Sequence, residues 1–337
     1  MTTRVLLTGA GGFIGHHNLS HLLTETDWHV IATDSFRHKG KTDRINQVLD
    51  ADPQWRPRVT VHTHDLSAPF SAQAAERIGR IDHIIAMASQ SHVDRSIADP
   101  VPFVRTNTDV ILTTLELARV THPESVIVIS TDEVYGPCER EDAHPEWSPV
   151  IPSNPYAASK AAQEAIAVSY WRTYGVPVVI VNCMNAIGER QDPEKFVPKL
   201  IKGISSGQTV TIHGREGDIG SRHYLHARNF ADGLLFIMRH LPPARFPDVS
   251  RPDRYNVASP EAIGNLDLAL EAAQVIGKPL KYQLVDFHSA RPGHDAHYGL
   301  DPRKLEVAGW KAPVPFSESL ARTVRWTLNH PEWLLED

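Results

Sequence analysis

The stretch that most constrains this chain is residues 4–15, RVLLTGAGGFIG. A short apolar run stops at a cluster of glycines, and a helix-like stretch, FIGHHNLSHLLTE, follows at once. A strand that turns on glycine straight into a helix is the opening of a βαβ unit. Gly9 permits the tight turn, Gly12 lets a backbone approach a pyrophosphate, and Gly15 lets the helix pack on the strand. The start of such a helix offers unpaired N–H groups to phosphate oxygens.

The rest of the first half repeats the alternation. Apolar runs recur at 29–33, 59–63, 81–88, 125–130 and 176–182, with helical patterns between most of them, notably 102–121 and 155–174. Strands alternating with helices predict an α/β fold, a Rossmann-like doubly wound parallel sheet. The near-continuous apolar character of the fifth and sixth runs predicts strands covered on both faces. Beyond residue 185 the alternation becomes irregular, prolines and glycines thicken, and strands shorten to 209–213 and 282–286. This divides the chain into a dinucleotide-binding domain, 1–184, and a smaller C-terminal substrate-binding lobe, 185–337. A segment near 229–258, containing the helical NFADGLLFIMRHL, is expected to return to the first domain.

An acid at the end of the second run sharpens the dinucleotide reading. Asp34 suits a ribose 2′-hydroxyl and repels a 2′-phosphate, which favours NAD. Phe36, Arg37 and Lys39 nearby leave room for NADP. Phe13, Ile14 and Leu66 belong to the same expected cofactor site. Asp65, after the third run, is a candidate for the adenine end or, equally, a helix N-cap.

Composition excludes several classes. A net charge of −6 with both signs scattered, and no basic run, argues against nucleic acid. No apolar run approaches the ~20 residues needed to span a bilayer. The N-terminus lacks a signal-peptide core, and Cys138 and Cys183 have no metal-type spacing, so a reducing, cytoplasmic setting is expected. Nineteen histidines invite a metal reading, but the closest groupings, His16-His17, His62/His64 and His294/His297, fall in separate segments without a metal motif. Polar, partly exposed histidines and no metal are the expectation.

The fifth run raises a chemical question, because VIVISTDEVYGPCE ends a buried strand in Ser130-Thr131-Asp132-Glu133. Adjacent carboxylates at the edge of a core are costly unless they form a solvated turn or a site. Downstream, YAASK puts Tyr156 and Lys160 at i and i+4 on one helix face, where the ammonium favours the phenolate.

Together TGAGGFIG, SQSHVDRS, ISTDEVYG, PYAASKAAQE and RPGHD resemble the extended short-chain dehydrogenase/reductase family over essentially the whole chain, most of all its dTDP-glucose 4,6-dehydratases. Thr-Asp-Glu is the most discriminating element, since GDP-mannose dehydratases usually carry Ser in place of the Asp. The resemblance implies roles. Tyr156, helped by Lys160, takes the proton from the sugar O4 while hydride leaves C4 for NAD, and Thr131 bonds the same oxygen. Glu133 takes the C5 proton, and Asp132 protonates the departing O6. It also implies substrate contacts by Ser91, Asn185, Lys195, Arg222, Asn256, Arg291 and His294. Lys195 equally reads as a solvated helix-start residue and Asn256 as a turn residue. The chain departs from the family's pattern at Gln90, at Asn185-Ala186-Ile187-Gly188-Glu189, at His213 and at His297.

The expected activity is therefore conversion of a dTDP- or UDP-glucose-like nucleotide sugar to its 4-keto-6-deoxy form. Epimerisation at C4, decarboxylation or 5,6-dehydration begins with the same oxidation and remains the enzymic alternative. A regulatory NAD-binding protein is the alternative of another class. Relatives pair two long helices per subunit, here 102–121 and 155–174, so a homodimer is expected.

Overall fold

The computed structural model describes residues 2–138, 142–286 and 297–335. Its first half runs β1 (Arg4–Thr8), α1 (Phe13–Glu25), β2 (His29–Asp34), α2 (Thr42–Ala51), β3 (Val59–Thr63), α3 (Ala72–Ile78), β4 (His83–Ala86), α4 (Val93–Ala98), α5 (Pro100–Thr121), β5 (Ser125–Thr131), α6 (Pro155–Tyr174) and β6 (Val178–Cys183). The second half has β7 (Ala186–Ile187), α7 (Phe196–Ser206), β8 (Val210–Arg215), β9 (Asp218–Ile219), β10 (Ser221–Arg222), β11 (Leu225–His226), α8 (Ala227–His240) and β12 (Asp253–Val257). It closes with β13 (Ile263–Gly264), α9 (Asn265–Ile276), β14 (Tyr282–Val285), α10 (Arg303–Val307) and α11 (Phe316–Asn329).

Seven strands form one sheet in the order β12-β6-β5-β4-β1-β2-β3, and every neighbouring pair is parallel. The order reverses between β1 and β4, and in open parallel sheets ligands bind in the crevice at that reversal. Every residue of β5 and β6 is buried, as their unbroken apolar character requires. One face packs on α1, α2 and α8 through residues such as Leu19, Leu22, Leu23, Phe230 and Leu234. The other packs on α5 and α6 through Ile111, Leu115, Ala167 and Trp171. Each buried leucine, isoleucine or phenylalanine among them stabilises the fold by about 1.5–3 kcal/mol relative to exposure, and covering both faces is what holds a parallel sheet.

Chain order and spatial order diverge after β6. Helix α8 packs beside α1, and β12 pairs with β6 in register Tyr255 to Val181 and Asn256 to Asn182. Around this return, α7, α9, α11 and β8 gather a separate core from Leu200, Ile201, Ile212, Leu268 and Leu320. Three small sheets, β14-β8-β9, β10-β13 and β11-β7, complete that part.

The histidines of α1 differ from expectation. His16, His17 and His21 are buried rather than partly exposed, because α1 is enclosed by the sheet on one side and by α8 and the 189–190 segment on others. Burial lowers the pKa of His16, and it takes His17 to about 3. No helix among the described residues is long and apolar enough to cross a membrane.

Candidate active site

A cavity of about 440 Å³ lies at the strand ends on the reversal between β1 and β4. Its walls come from the glycine turn, the ends of β2, β4, β5 and β6, the start of α6 and the segment 184–197. Thr8 pins the two central strands here: its hydroxyl donates to the Ile85 carbonyl (3.3 Å) and accepts from the Met87 and Ala88 amides at 2.9 and 3.0 Å.

At one end the turn is shaped by what it excludes. Gly9 has φ +71°, open to glycine and strained for other residues, and a Cβ on Gly15 would stand 2.0 Å from the Gly9 carbonyl oxygen. Helix α1 begins at Gly12 with no side-chain cap, so its first amides stay available to an anion. Asp34 faces the same space, its carboxylate accepting from the Gly11 amide (3.0 Å) and the Phe36 amide (2.9 Å). A narrow glycine cradle, bare helix amides and a carboxylate at the end of β2 fit a dinucleotide with a free ribose 2′-hydroxyl. Arg37, a residue that left room for a 2′-phosphate, is paired with Asp65. Asp65 is no helix N-cap, for Ser71 caps α3; it forms a local turn by accepting from Ser67, which, with Arg37, holds its pKa down.

The opposite end gathers the reactive groups. Strand β5 ends at Thr131, and a single 3-10 turn, Asp132–Tyr135, carries the two acids into the cavity. The Thr131 hydroxyl donates to Asp132 Oδ1 at 2.8 Å, and Asp132 Oδ2 is buried with no hydrogen-bond partner. Glu133 Oε2 accepts from the Asn154 amide at 3.0 Å. Burial pushes both acids up, Asp132 to about 6 and Glu133 to about 7, with the Asp132 charge adding to the rise at Glu133. Between those two values the pair holds about one proton. The Asn154 donor favours the Glu133 anion, while Asp132 Oδ2 has no donor to favour its own.

Tyr156 and Lys160 reach the cavity from the first turns of α6. Asn154 starts that helix, its Oδ1 accepting from the Ala157 amide at 2.9 Å, and Pro155 occupies the first turn. Burial pushes Tyr156 well up, Glu133 and Asp132 push further, and hydrogen bonding to Thr131 opposes them. Lys160 is buried and lowered by that burial to about 8, and its ammonium donates to the Ile129 carbonyl at 2.6 Å and to Gln163 Oε1 at 2.5 Å.

Thr131, Asp132, Glu133, Tyr156 and Lys160 thus share one cavity with Gly9, Gly12, Phe13, Ile14, Gly15, Asp34, Asp65 and Leu66. Ser91, Asn185 and Lys195 line it too, and the Lys195 ammonium donates to the Ser91 carbonyl at 3.3 Å. Arg222 does not line it; its guanidinium donates to the Ser221 carbonyl (2.7 Å) and lies 4.7 Å over the Tyr298 ring, while its charge still reaches Asp132 and Glu133. Asn256 departs from the substrate-side expectation. It is fully buried in the sheet, and its amide nitrogen donates to the His144 and Asp301 carbonyls at 2.9 and 3.1 Å, a structural use that leaves no donor for a ligand. Arg291 and His294 lie outside the described residues.

Sequence reasoning missed Asn154 and Gln163. Asn before Pro at a helix start was a legible capping signal for the first. Gln163, three residues from Lys160, was legible only as a same-face neighbour. It also missed a buried cluster of His17, Glu189 and His226. There the His226 Nδ1 accepts from the Arg228 amide (3.0 Å), so its proton sits on Nε2 and points to Glu189 Oε2 at 3.1 Å. The other Glu189 oxygen accepts from Arg322 at 2.5 Å. Burial pushes Glu189 up, but the His226 bond, with His17 and Arg322, holds it far below the carboxylate range. These donors are spent on a hydrogen-bonded network, anchored by the Arg322–Glu189 ion pair, that joins α1 to β11 and α11.

A family model described as GDP-mannose 4,6 dehydratase matches residues 6–323. A probable dTDP-glucose 4,6-dehydratase of Sinorhizobium fredii is 32% identical, the match covering 98% of this chain and 94% of the relative. The solved dTDP-glucose 4,6-dehydratase DesIV of Streptomyces venezuelae, crystallised with NAD bound, superposes with a TM-score of 0.85 at 32% identity, covering 98% of each chain. A UDP-glucose 4-epimerase of Thermus thermophilus in complex with NAD superposes with a TM-score of 0.80 at 28% identity, covering 96% of this chain and 98% of that one.

Proposed function

The chain belongs to the GDP-mannose 4,6 dehydratase family, and from that membership and the geometry of its cavity we propose that it is an NAD-dependent nucleotide-sugar 4,6-dehydratase. Its substrate is a dTDP- or UDP-glucose-like sugar, and its product is the 4-keto-6-deoxy sugar. One observation carries the reading: a tyrosine–lysine pair and an acid pair holding about one proton face the same cavity as a dinucleotide cradle.

NAD, held by the glycine turn, the amides of α1 and Asp34, supplies a hydride acceptor for C4 and a hydride donor for C6. Everything else falls to the chain. Tyr156 takes the O4 proton, the Lys160 ammonium favours the phenolate, and the Thr131 hydroxyl bonds the same oxygen as it becomes a ketone. The 4-ketone acidifies C5, where Glu133 takes the proton and returns one when C6 is reduced. Asp132 gives its proton to O6 as water leaves. Ser91, Asn185, Lys195 and Arg222, with Arg291 and His294, serve the sugar and its diphosphate, the arginines forking onto phosphate oxygens. Asn256 leaves that set.

The fold does not separate dehydration from C4 epimerisation, as the Thermus thermophilus likeness illustrates. The acid pair does, because epimerisation calls for neither a base at C5 nor an acid at O6. A purely regulatory NAD-binding protein has no use for either pair. Two free cysteines, one of them buried, fit the reducing cytoplasm. The solvent-facing residues Val101, Val104 and Val120 of α5 and Tyr174 of α6 support a homodimer through these two helices.

Incubation with a panel of dTDP-, UDP-, GDP- and CDP-sugars, read by mass spectrometry, tests the proposal. Loss of one water from a single substrate supports dehydration and names the nucleotide. A new stereoisomer of unchanged mass refutes it in favour of epimerisation.

A further inference from the structure

The Lys160 ammonium is buried and has three protons to place. One goes to the Ile129 carbonyl at 2.6 Å and one to Gln163 Oε1 at 2.5 Å, leaving the third for the cavity that Lys160 lines. Gln163 is itself fixed. Its amide nitrogen donates to the Asn107 carbonyl of α5 at 2.7 Å, which settles which end of the amide faces the lysine. The Asn107 side chain in turn accepts from the Gln90 amide (2.8 Å) and donates to the Gln90 carbonyl (3.1 Å) and to the Ser159 hydroxyl (2.8 Å). Lys160, Gln163 and Asn107 are 4%, 3% and 0% exposed, so the contacts between them lie away from the surface. A buried amide spanning two helices in this way is costly unless every bond it makes is satisfied.

We propose that Gln163 is a positioning residue for Lys160: it holds the ammonium by one proton and turns another toward the reacting tyrosine and the cofactor ribose. This rests on the dehydratase reading for its catalytic meaning, while the contact with Lys160 stands by itself. A neutral acceptor suits the task better than a carboxylate would. It lowers the cost of a buried cation and leaves the positive charge to act on Tyr156. The charged and titratable groups around Lys160 are Tyr156 and Glu164 on its own helix, Cys183 on β6, and Asp132 and Glu133, which face Tyr156 from the turn after β5. Glu164 is engaged by Arg254, and Cys183 is a neutral thiol whose pKa burial raises. Gln163 is therefore the group whose removal changes the ammonium's support without changing the site's charge.

The test is titration of Lys160 in protein carrying isotopically labelled lysine, the Nζ resonance being assigned by its loss in Lys160→Met. Gln163→Met preserves the shape and deletes the acceptor. The expected result is a midpoint about one pH unit below the wild-type value, a tenfold loss of proton affinity (about 1.4 kcal/mol). The rate of C4 oxidation on first mixing with sugar should lose its alkaline limb at the correspondingly lower pH. An unmoved midpoint, with or without a lower Tm, overturns the proposal and leaves Gln163 a packing residue. If Gln163→Met fails to fold, Gln163→Asn carries the same prediction, since its shorter amide falls short of Lys160. A shifted midpoint in a protein that dehydrates no sugar supports the hold on Lys160 and removes the dehydratase reading instead.

Discussion

At the scale of single residues, the account stands on five side chains that share one cavity, and the acid pair makes the sharpest predictions. Two carboxylates raised to about 6 and about 7 by burial give a bell-shaped kcat/KM. Activity falls as pH drops below about 6, where the pair takes up a second proton and no base is left. It falls again above about 7, where the pair loses its last proton and no acid is left. Asp132→Asn removes the acid, so the alkaline limb disappears, while turnover drops by about 10²–10⁴, the usual worth of a positioned acid. A pH–rate series on the variant measures both effects. Tyr156→Phe should lose a similar factor in C4 oxidation. These residues were legible because each sits in a short motif: the acids end a buried strand, and Tyr156 and Lys160 are one helical turn apart. Asn154 meets Glu133 from 21 residues away, and no local pattern reports such a contact. Asn256 was legible as polar but not as buried, because its partners His144 and Asp301 come from distant loops.

At the scale of elements, two short stretches place the chemistry. The glycine turn joins β1 to α1 so closely that Gly15→Ala, with its Cβ 2.0 Å from the Gly9 oxygen, must push strand and helix apart. The expected cost is about 1–3 kcal/mol in urea unfolding, with loss of NAD binding by calorimetry. Asn154 both caps α6 and donates to Glu133. Asn154→Ala should lose about 1 kcal/mol of stability as a missing cap. It should also raise the lower limb of the pH profile, since the Glu133 anion loses its donor. Strand existence was readable from apolar runs, since a strand covered on both faces has no polar face to disguise it. The short strands of the second lobe, β9, β10 and β11 among them, are two residues long and carry no periodicity to read. The burial of the α1 histidines also escaped the sequence, because the groups enclosing them come from α8 and the 189–190 segment.

At the scale of the whole molecule, the sheet reversal between β1 and β4 opens the crevice, and the segment 184–197 closes it. The Glu189 network with His17, His226 and Arg322 joins α1 to β11 and α11. If α5 and α6 form the proposed dimer interface, the protein sediments at twice its 37.5 kDa, and Val104→Glu returns it to the monomer. Recovery of the monomer mass by the unmodified protein would remove the dimer. The central claim is that the cavity holds one sugar from its oxidation at C4 to its reduction at C6, a bound NAD being the group that would supply the hydride acceptor and donor. Substrate deuterated at C4 tests this directly. The account predicts a product lighter by one water that carries the deuterium at C6, with none released to the medium as free reduced cofactor. Deuterium returned to C4 of a sugar that has lost no water would contradict it and make the enzyme an epimerase.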